Sequence, residues 1–186
     1  MSNEPPIPPD TKDWTWVLTQ SCDECGADVG TIDPTSVGEA LRHNASEWLR
    51  VLAGEDVTDR PAATVWSPLE YACHVRDVHR VFDGRVRLML EQDDPSFESW
   101  DQDAASAGYG DEPADVVARE LAAAATAVAA RYDGVSAQQW SRPGRRSNGS
   151  SFTVASIATY HLHDVVHHIW DVGLGSDRRP GGQQPR

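Results

Sequence analysis

The segment from His161 to Asp171 constrains the chain more than any other part of the sequence, because it places four histidines and two carboxylates in eleven residues of helical pattern. Residues four apart lie on one face of a helix, so the segment offers two pairs of metal ligands. The first pair is Asp164 with His168, and the second is His163 with His167. Imidazole and carboxylate groups ligate Zn, Fe, Ni or Co, and a third ligand would have to come from another element.

His74 is the best candidate for that third ligand. It follows a strong helix start, in which Ser67 can cap, Pro68 suits the first position and Glu70 completes a capping box. The helix is predicted to continue towards Met89, with His74 on its second turn and directed partly inward. A single histidine of this kind is often an ordinary core residue, but the cluster on the later helix favours a ligand.

Helical periodicity predicts four long helices, at about 35–53, 67–91, 111–132 and 153–172. With no alternating strand segments and no internal repeat, the chain is predicted to be an all-α four-helix bundle in which the second and fourth helices face each other. The loop at 93–103 is aromatic and is expected to cover the mouth of the site. The connection at 140–151 is predicted to be irregular. Its three arginines, Arg142, Arg145 and Arg146, form either a solvated loop or an anion-binding rim.

Two cysteines near the N-terminus form a Cys-x-x-Cys pair, Cys22 and Cys25, followed at once by Gly26. This is half of a zinc knuckle, which His43 or a histidine of the later cluster would complete. A redox pair and a simple tight turn are the alternatives. The third cysteine, Cys73, makes the number odd, and without an export signal a disulfide framework is not expected.

Composition narrows the class of protein further. A net charge of −13 and a pI of 4.8 argue against a nucleic-acid partner, and no apolar run is long enough to span a membrane. The protein is therefore expected to be cytoplasmic. The 186 residues fit one domain, with residues 1–34 as an N-terminal extension carrying the Cys-x-x-Cys pair, residues 35–173 as the bundle and residues 174–186 as a disordered tail.

The sequence Trp66-Ser67-Pro68 followed by His74, together with the histidine cluster at 163–168, resembles the DinB-like superfamily over residues 35–173. Within it, the chain is most similar to the actinobacterial branch related to mycothiol-dependent maleylpyruvate isomerase. The resemblance implies a four-helix bundle with a divalent metal, Zn above all, with Ni or Fe as alternatives. It also implies a low-molecular-weight thiol as cosubstrate. Carried over by position, the metal ligands are His74, Asp164 and His168, with Asp164 where the isomerase pattern has a longer glutamate.

The resemblance thus predicts a metal-dependent thiol S-transferase or isomerase, in which a metal-activated thiolate attacks a small electrophile. Asp171 or His167 would orient a ligand imidazole. The expected partners are the thiol and the electrophile, and a homodimer is left open. Two alternatives remain. The protein is a non-catalytic metal-binding protein of stress response or interaction, or Cys22 and Cys25 join the histidine cluster in a closed four-ligand zinc site.

Overall fold

The computed structural model describes residues 7–8 and 12–173, so the predicted tail at 174–186 lies outside the described residues. Four long α-helices confirm the predicted all-α bundle, and a short helix, α3, precedes the third of them. In chain order the helices are α1 (Val37–Leu52), α2 (Pro68–Glu91), α3 (Gln102–Ser106), α4 (Ala114–Asp133) and α5 (Val154–Asp171).

The starts of α2 and α5 are fixed by side chains that satisfy the free amides of the first turn. At α2, the Ser67 hydroxyl accepts a hydrogen bond from the Glu70 amide at 3.2 Å, and the Glu70 carboxylate accepts one from the Ser67 amide at 2.8 Å. At α5, the Thr153 hydroxyl accepts from the Ser156 amide at 3.1 Å. These caps set the register of both helices, and the first places His74 on the second turn as predicted.

The helices pack so that α4 and α5 each contact both α1 and α2. Helix α2 therefore faces α5, which is the arrangement that the predicted metal site needs. The core between the helices is built from fully buried large side chains, among them Leu41, Trp48, Leu69, Met89, Leu121 and Ile157. In the part of the chain that the structure describes, no helix combines the length and apolar character needed to cross a membrane.

The expectation of an irregular connection at 140–151, with no strands, is wrong. Strands β2 (Pro143–Arg146) and β3 (Ser151–Thr153) form an antiparallel pair, and β1 (Ser96–Phe97) from the preceding long loop joins β2 in parallel. A Cβ at Gly144 would lie 2.7 Å from the Met89 side chain, so glycine permits β2 to pack against the end of α2. The sheet ties two distant loops to the same end of the bundle.

The N-terminal segment docks on the bundle through two short 3₁₀ helices, Trp14–Leu18 and Val29–Thr31. Val17 and Val29 are completely buried, and both 3₁₀ helices contact α5. The aromatic segment that begins at Trp14 therefore anchors the N-terminus on the body of the domain. This docking also brings the Cys-x-x-Cys pair to the histidine-rich helix.

Candidate metal centre

His74 on α2 meets Asp164 and His168 on α5, so the structure brings together the three ligands expected from the sequence. The Asp164 Oδ1 atom lies 3.7 Å from His74 Nε2 and 3.5 Å from His168 Nε2. Nitrogen and oxygen ligands at about 2.1 Å from a tetrahedral ion lie about 3.4 Å apart. The three side chains therefore have the spacing of a metal triad rather than of hydrogen-bonded partners.

Burial and charge also fit a bound cation. His74 is only 3% exposed, and its Nδ1 and the Asp164 Oδ1 are buried without a hydrogen-bond partner among the described residues. Burial lowers the pKa of His74 and favours the neutral imidazole that ligates metals. Burial raises the pKa of the Asp164 carboxyl, but the neighbouring imidazoles of His74 and His168 outweigh that effect and lower it. A cation would satisfy the otherwise unpartnered oxygen.

Asp171 contacts one of the three candidate ligands. Its Oδ2 atom lies 2.7 Å from His168 Nδ1, close enough to accept a hydrogen bond from that nitrogen. The bond leaves the lone pair of His168 Nε2 directed towards Asp164. A carboxylate in this position fixes the tautomer and the ring plane of a ligand histidine. Of the two residues that the sequence offered for orienting a ligand imidazole, Asp171 is the one placed to hold His168.

The competing pair, His163 and His167, points to a different place. These two histidines meet Cys22 and Cys25 of the N-terminal segment in a second cluster. The described part of the chain thus contains two adjacent ligand clusters on α5, and the cysteines do not enter the first one. His43, the other candidate for completing the cysteine pair, is mostly exposed on α1 and lies 3.7 Å from Glu47.

The triad opens into a cavity of about 1160 Å³. Aromatic rings surround His74, with the Trp100 ring stacked on it at a centroid distance of 5.2 Å and the Trp66 ring at the same distance on another side. The Tyr71 ring lies 5.3 Å from that of His168. Trp100 belongs to the aromatic loop at 93–103, which therefore lines the cavity as expected. These rings exclude water from one side of the ligands.

Three arginines line the same cavity. Arg60, which precedes α2, is paired with Glu70, and the other two are Arg85 from α2 and Arg146 from β2. Arg85 is 8% exposed, donates to the Glu98 carbonyl oxygen at 3.2 Å and lies against the Phe82 and Phe97 rings. No carboxylate of the described residues forms an ion pair with it. Burial lowers the pKa of Arg85 to about 10, so the side chain remains a cation at neutral pH.

Of the three arginines at 142–146, only Arg146 reaches the cavity. Arg142 donates to the Met89 and Gln92 carbonyl oxygens, and Arg145 pairs with Asp94. Of the two alternatives for these arginines, a solvated loop and an anion-binding rim, only Arg146 fits the second. The sequence pattern alone did not identify Arg85 as a candidate site residue. Its position eleven residues after His74 nevertheless places it on the same face of α2.

Comparisons with known proteins agree with this architecture. The family model of the DinB superfamily matches residues 38–172. The structure is similar to that of YfiT from Bacillus subtilis, which is described as a probable metal-dependent hydrolase with an unusual four-helix bundle topology. The TM-score is 0.71 at 16% identity, over 80% of this chain and 90% of YfiT, and at that identity the likeness shows the fold alone. No curated protein sequence matches the chain. Because the family model spans most of its length, the chain belongs to the DinB superfamily.

Proposed function

We propose that the protein is a metal-dependent enzyme that adds a low-molecular-weight thiol to a small anionic electrophile, or isomerises the electrophile through such an adduct. The observation that carries the proposal is the triad of His74, Asp164 and His168 at the wall of a cavity of about 1160 Å³. The resemblance to the mycothiol-dependent isomerase branch, over residues 35–173, supports the same chemistry.

The triad fits a divalent cation, with Zn favoured and Ni or Fe compatible with the same ligands. Three protein ligands leave a coordination position open, as catalytic sites do. The residues that would hold the cation are His74, Asp164 and His168, and a cation bound there would lower the pKa of a thiol in the open position and so supply a thiolate at neutral pH. The protein's own contribution is to hold the ligands with Asp171 behind His168 and to keep water away with Trp66 and Trp100.

No cysteine of the described residues lines the cavity, so the nucleophile is expected to come from outside the chain. Cys73 is fully buried with its Sγ 3.7 Å from the Tyr109 carbonyl oxygen, and Cys22 and Cys25 belong to the other cluster. Pockets for a single drug-sized ligand have volumes of roughly 300–1,000 Å³. The cavity of about 1160 Å³ exceeds that range and suits two reactants, a thiol and an electrophile.

Arg85 and Arg146 favour an electrophile with a carboxylate. A buried arginine without a carboxylate partner is matched by an anionic ligand, which arginine binds through two parallel hydrogen bonds. Tyr160 lines the same cavity, and burial raises the pKa of its hydroxyl, so it stays protonated as a hydrogen-bond donor. In the addition, the thiolate sulfur forms a bond to one carbon of an activated double bond, and the thiol proton ends on the neighbouring carbon. After rotation about the resulting single bond, elimination releases the thiolate and the proton again and completes an isomerisation.

The test is consumption of a thiol by the metal-loaded protein in the presence of an activated alkene that carries a carboxylate, with its neutral ester as the matched substrate. We expect His168→Ala to lose the metal of the triad together with turnover, and His43→Ala, which removes an exposed histidine, to keep both. Arg85→Met removes a charge-assisted hydrogen bond worth about 1.5–3 kcal/mol. It should therefore lower kcat/KM for the carboxylate substrate by roughly 10- to 100-fold and leave the ester much less affected.

Two other results would point elsewhere. Metal-dependent cleavage of esters without any use of thiol would make water the nucleophile and would contradict thiol transfer while retaining a metal-dependent enzyme. Stoichiometric metal at the triad with no turnover of any thiol or ester would favour the rival function, a metal-binding protein of stress response or interaction without catalysis.

A further inference from the structure

We propose that Cys22, Cys25, His163 and His167 form a second metal site, a closed four-ligand zinc site that fastens the N-terminal segment to helix α5. This site is distinct from the triad of His74, Asp164 and His168 and does not depend on the function proposed for it. Its four ligand atoms all lie within 4.8 Å of one another.

The distances match tetrahedral zinc. Cys22 Sγ lies 3.7 Å from His167 Nδ1, and Cys25 Sγ lies 3.7 Å from His163 Nε2. With Zn–S near 2.3 Å and Zn–N near 2.05 Å, a tetrahedral ion separates sulfur and nitrogen by about 3.6 Å. A thiol and an imidazole at 3.7 Å have only a weak hydrogen bond between them, whereas a shared ion would account for both pairs at once.

The backbone of the cysteine segment is folded as a tight turn that presents both thiols to one point. The Gly26 amide donates to the Cys22 carbonyl oxygen at 2.8 Å, and the Cys22 amide donates to the Ala27 carbonyl oxygen at 2.8 Å. Gly26 has a φ of +76°, a conformation that residues other than glycine rarely adopt. The turn brings two residues three apart to the same side, while the helix brings His163 and His167 together across one turn.

The side chains that surround His163 and His167 are also typical of a structural metal site. The second ring nitrogen of His167, Nε2, lies 3.5 Å from the Glu24 carboxylate and 3.8 Å from the Asp171 carboxylate. The Trp14 ring covers His167 and His163 at centroid distances of 4.8 and 5.6 Å. Carboxylates on the second nitrogen and an apolar cover are the usual surroundings of zinc-bound histidines.

The ligand set selects zinc and leaves no position for a substrate. Two thiolates neutralise the charge of Zn²⁺, and soft sulfur ligands disfavour Mg²⁺ and Ca²⁺. Four protein ligands complete the tetrahedron, which is the arrangement of structural sites. The role of such a zinc ion would be to hold the N-terminal segment in place. That segment also contributes Pro8, Asp13 and Trp14 to the wall of the cavity.

The experiment measures zinc per chain and the absorption spectrum of the cobalt-substituted protein. The variants are His74→Ala, the double variant Cys22→Ser with Cys25→Ser, and Cys73→Ser as the matched cysteine control. We expect His74→Ala and Cys73→Ser to keep the sulfur-to-cobalt charge-transfer band, and the double variant to lose it together with one equivalent of metal. Loss of the band in His74→Ala, or no such band in the wild type, would overturn the proposal.

A second measurement covers the case in which the double variant fails to fold. In the wild-type zinc protein, Cys22 and Cys25 should react slowly with a thiol reagent, and a chelator should release zinc and expose both thiols together. Immediate reaction of both thiols in the zinc-loaded protein, or a Cys22–Cys25 disulfide found by mass spectrometry of that protein, would contradict the site. Failure of the triad alone would appear as metal that is insensitive to His74→Ala, and it would leave these readouts unchanged.

Discussion

The buried pair of His79 and His161 leads to a quantitative prediction about acid stability. His79 is completely buried, its Nδ1 lies 3.0 Å from His161 Nε2, and His161 Nδ1 lies 3.2 Å from the Tyr132 hydroxyl. Burial lowers the pKa of His79 from an ordinary 6.5 to about 4, with only a small opposing effect of Asp164. His79 is therefore neutral in the folded protein under conditions in which the unfolded chain already binds a proton.

The sign and size of the effect follow from proton linkage. The pKa of His79 is lower in the folded than in the unfolded protein. The contribution of neutral His79 to the free energy of unfolding is therefore fully present above pH 6.5 and is lost as the pH falls towards 4. A difference of about 2.5 pH units corresponds to a total of about 3 kcal/mol. At pH 5 the part already lost is about 2 kcal/mol, since the unfolded state is almost fully protonated and the folded state hardly at all.

The perturbation is His79→Asn, which removes the titrating ring and keeps an amide near the position of Nδ1. The free energy of unfolding would be measured by urea titration at pH 8 and pH 5, with tryptophan fluorescence as the signal and chelator in every sample. We expect the loss between the two pH values to be about 2 kcal/mol smaller in His79→Asn than in the wild type. His43→Asn, which removes an exposed imidazole on α1, should keep the wild-type loss. An equal loss in His79→Asn and the wild type would refute the reasoning.

Two further predictions test the packing and the centre. Leu41→Ala removes a fully buried side chain from α1 and should destabilise the protein by about 2–5 kcal/mol, lowering the Tm by roughly 4–20 °C in a thermal melt, whereas Leu49→Ala on the exposed face should change it little. Asp171→Asn weakens the hydrogen bond from His168 Nδ1 and should lower metal affinity at the triad by about 10- to 100-fold in a competition assay with a chromophoric chelator. Unchanged affinity would mean that Asp171 does not orient the ligand.

The helices were predictable because their signals are local. Ser67, Pro68 and Glu70 specify the start of α2 within four residues, and the structure shows α2 beginning at Pro68 with the capping box in place. The sheet had no such signal. Its strands are two to four residues long, and β2 contains Pro143 and Gly144, which disfavour strands. β2 pairs with the nearby β3 and also with the distant Ser96 and Phe97. Contacts of this range cannot be read from local periodicity.

The histidines show where residue-level reasoning about a site succeeds and where it stops. Spacing by four identified both ligand pairs on α5, and the start of α2 identified His74. Spacing alone did not show which pair faces α2, because that depends on how α5 is rotated against α1 and α2. It also did not show that His79 and His161, rather than His74, are the histidines paired within the core. Burial of an imidazole against another imidazole depends on tertiary packing, which a single sequence does not display.

Helix α5 explains how two ligand clusters can coexist within one turn of each other. Consecutive residues are separated by about 100° around a helix, so His163 and His167 face the N-terminal segment while Asp164 and His168 face α2. Asp171 lies one turn further on and contacts both, at 2.7 Å from His168 Nδ1 and 3.8 Å from His167 Nε2. The packing of α5 against α1 and α2 sets the rotation that directs Asp164 and His168 towards His74. Because the two sites share no ligand, emptying the closed cluster should release the N-terminal segment and leave the metal of the open cluster in place.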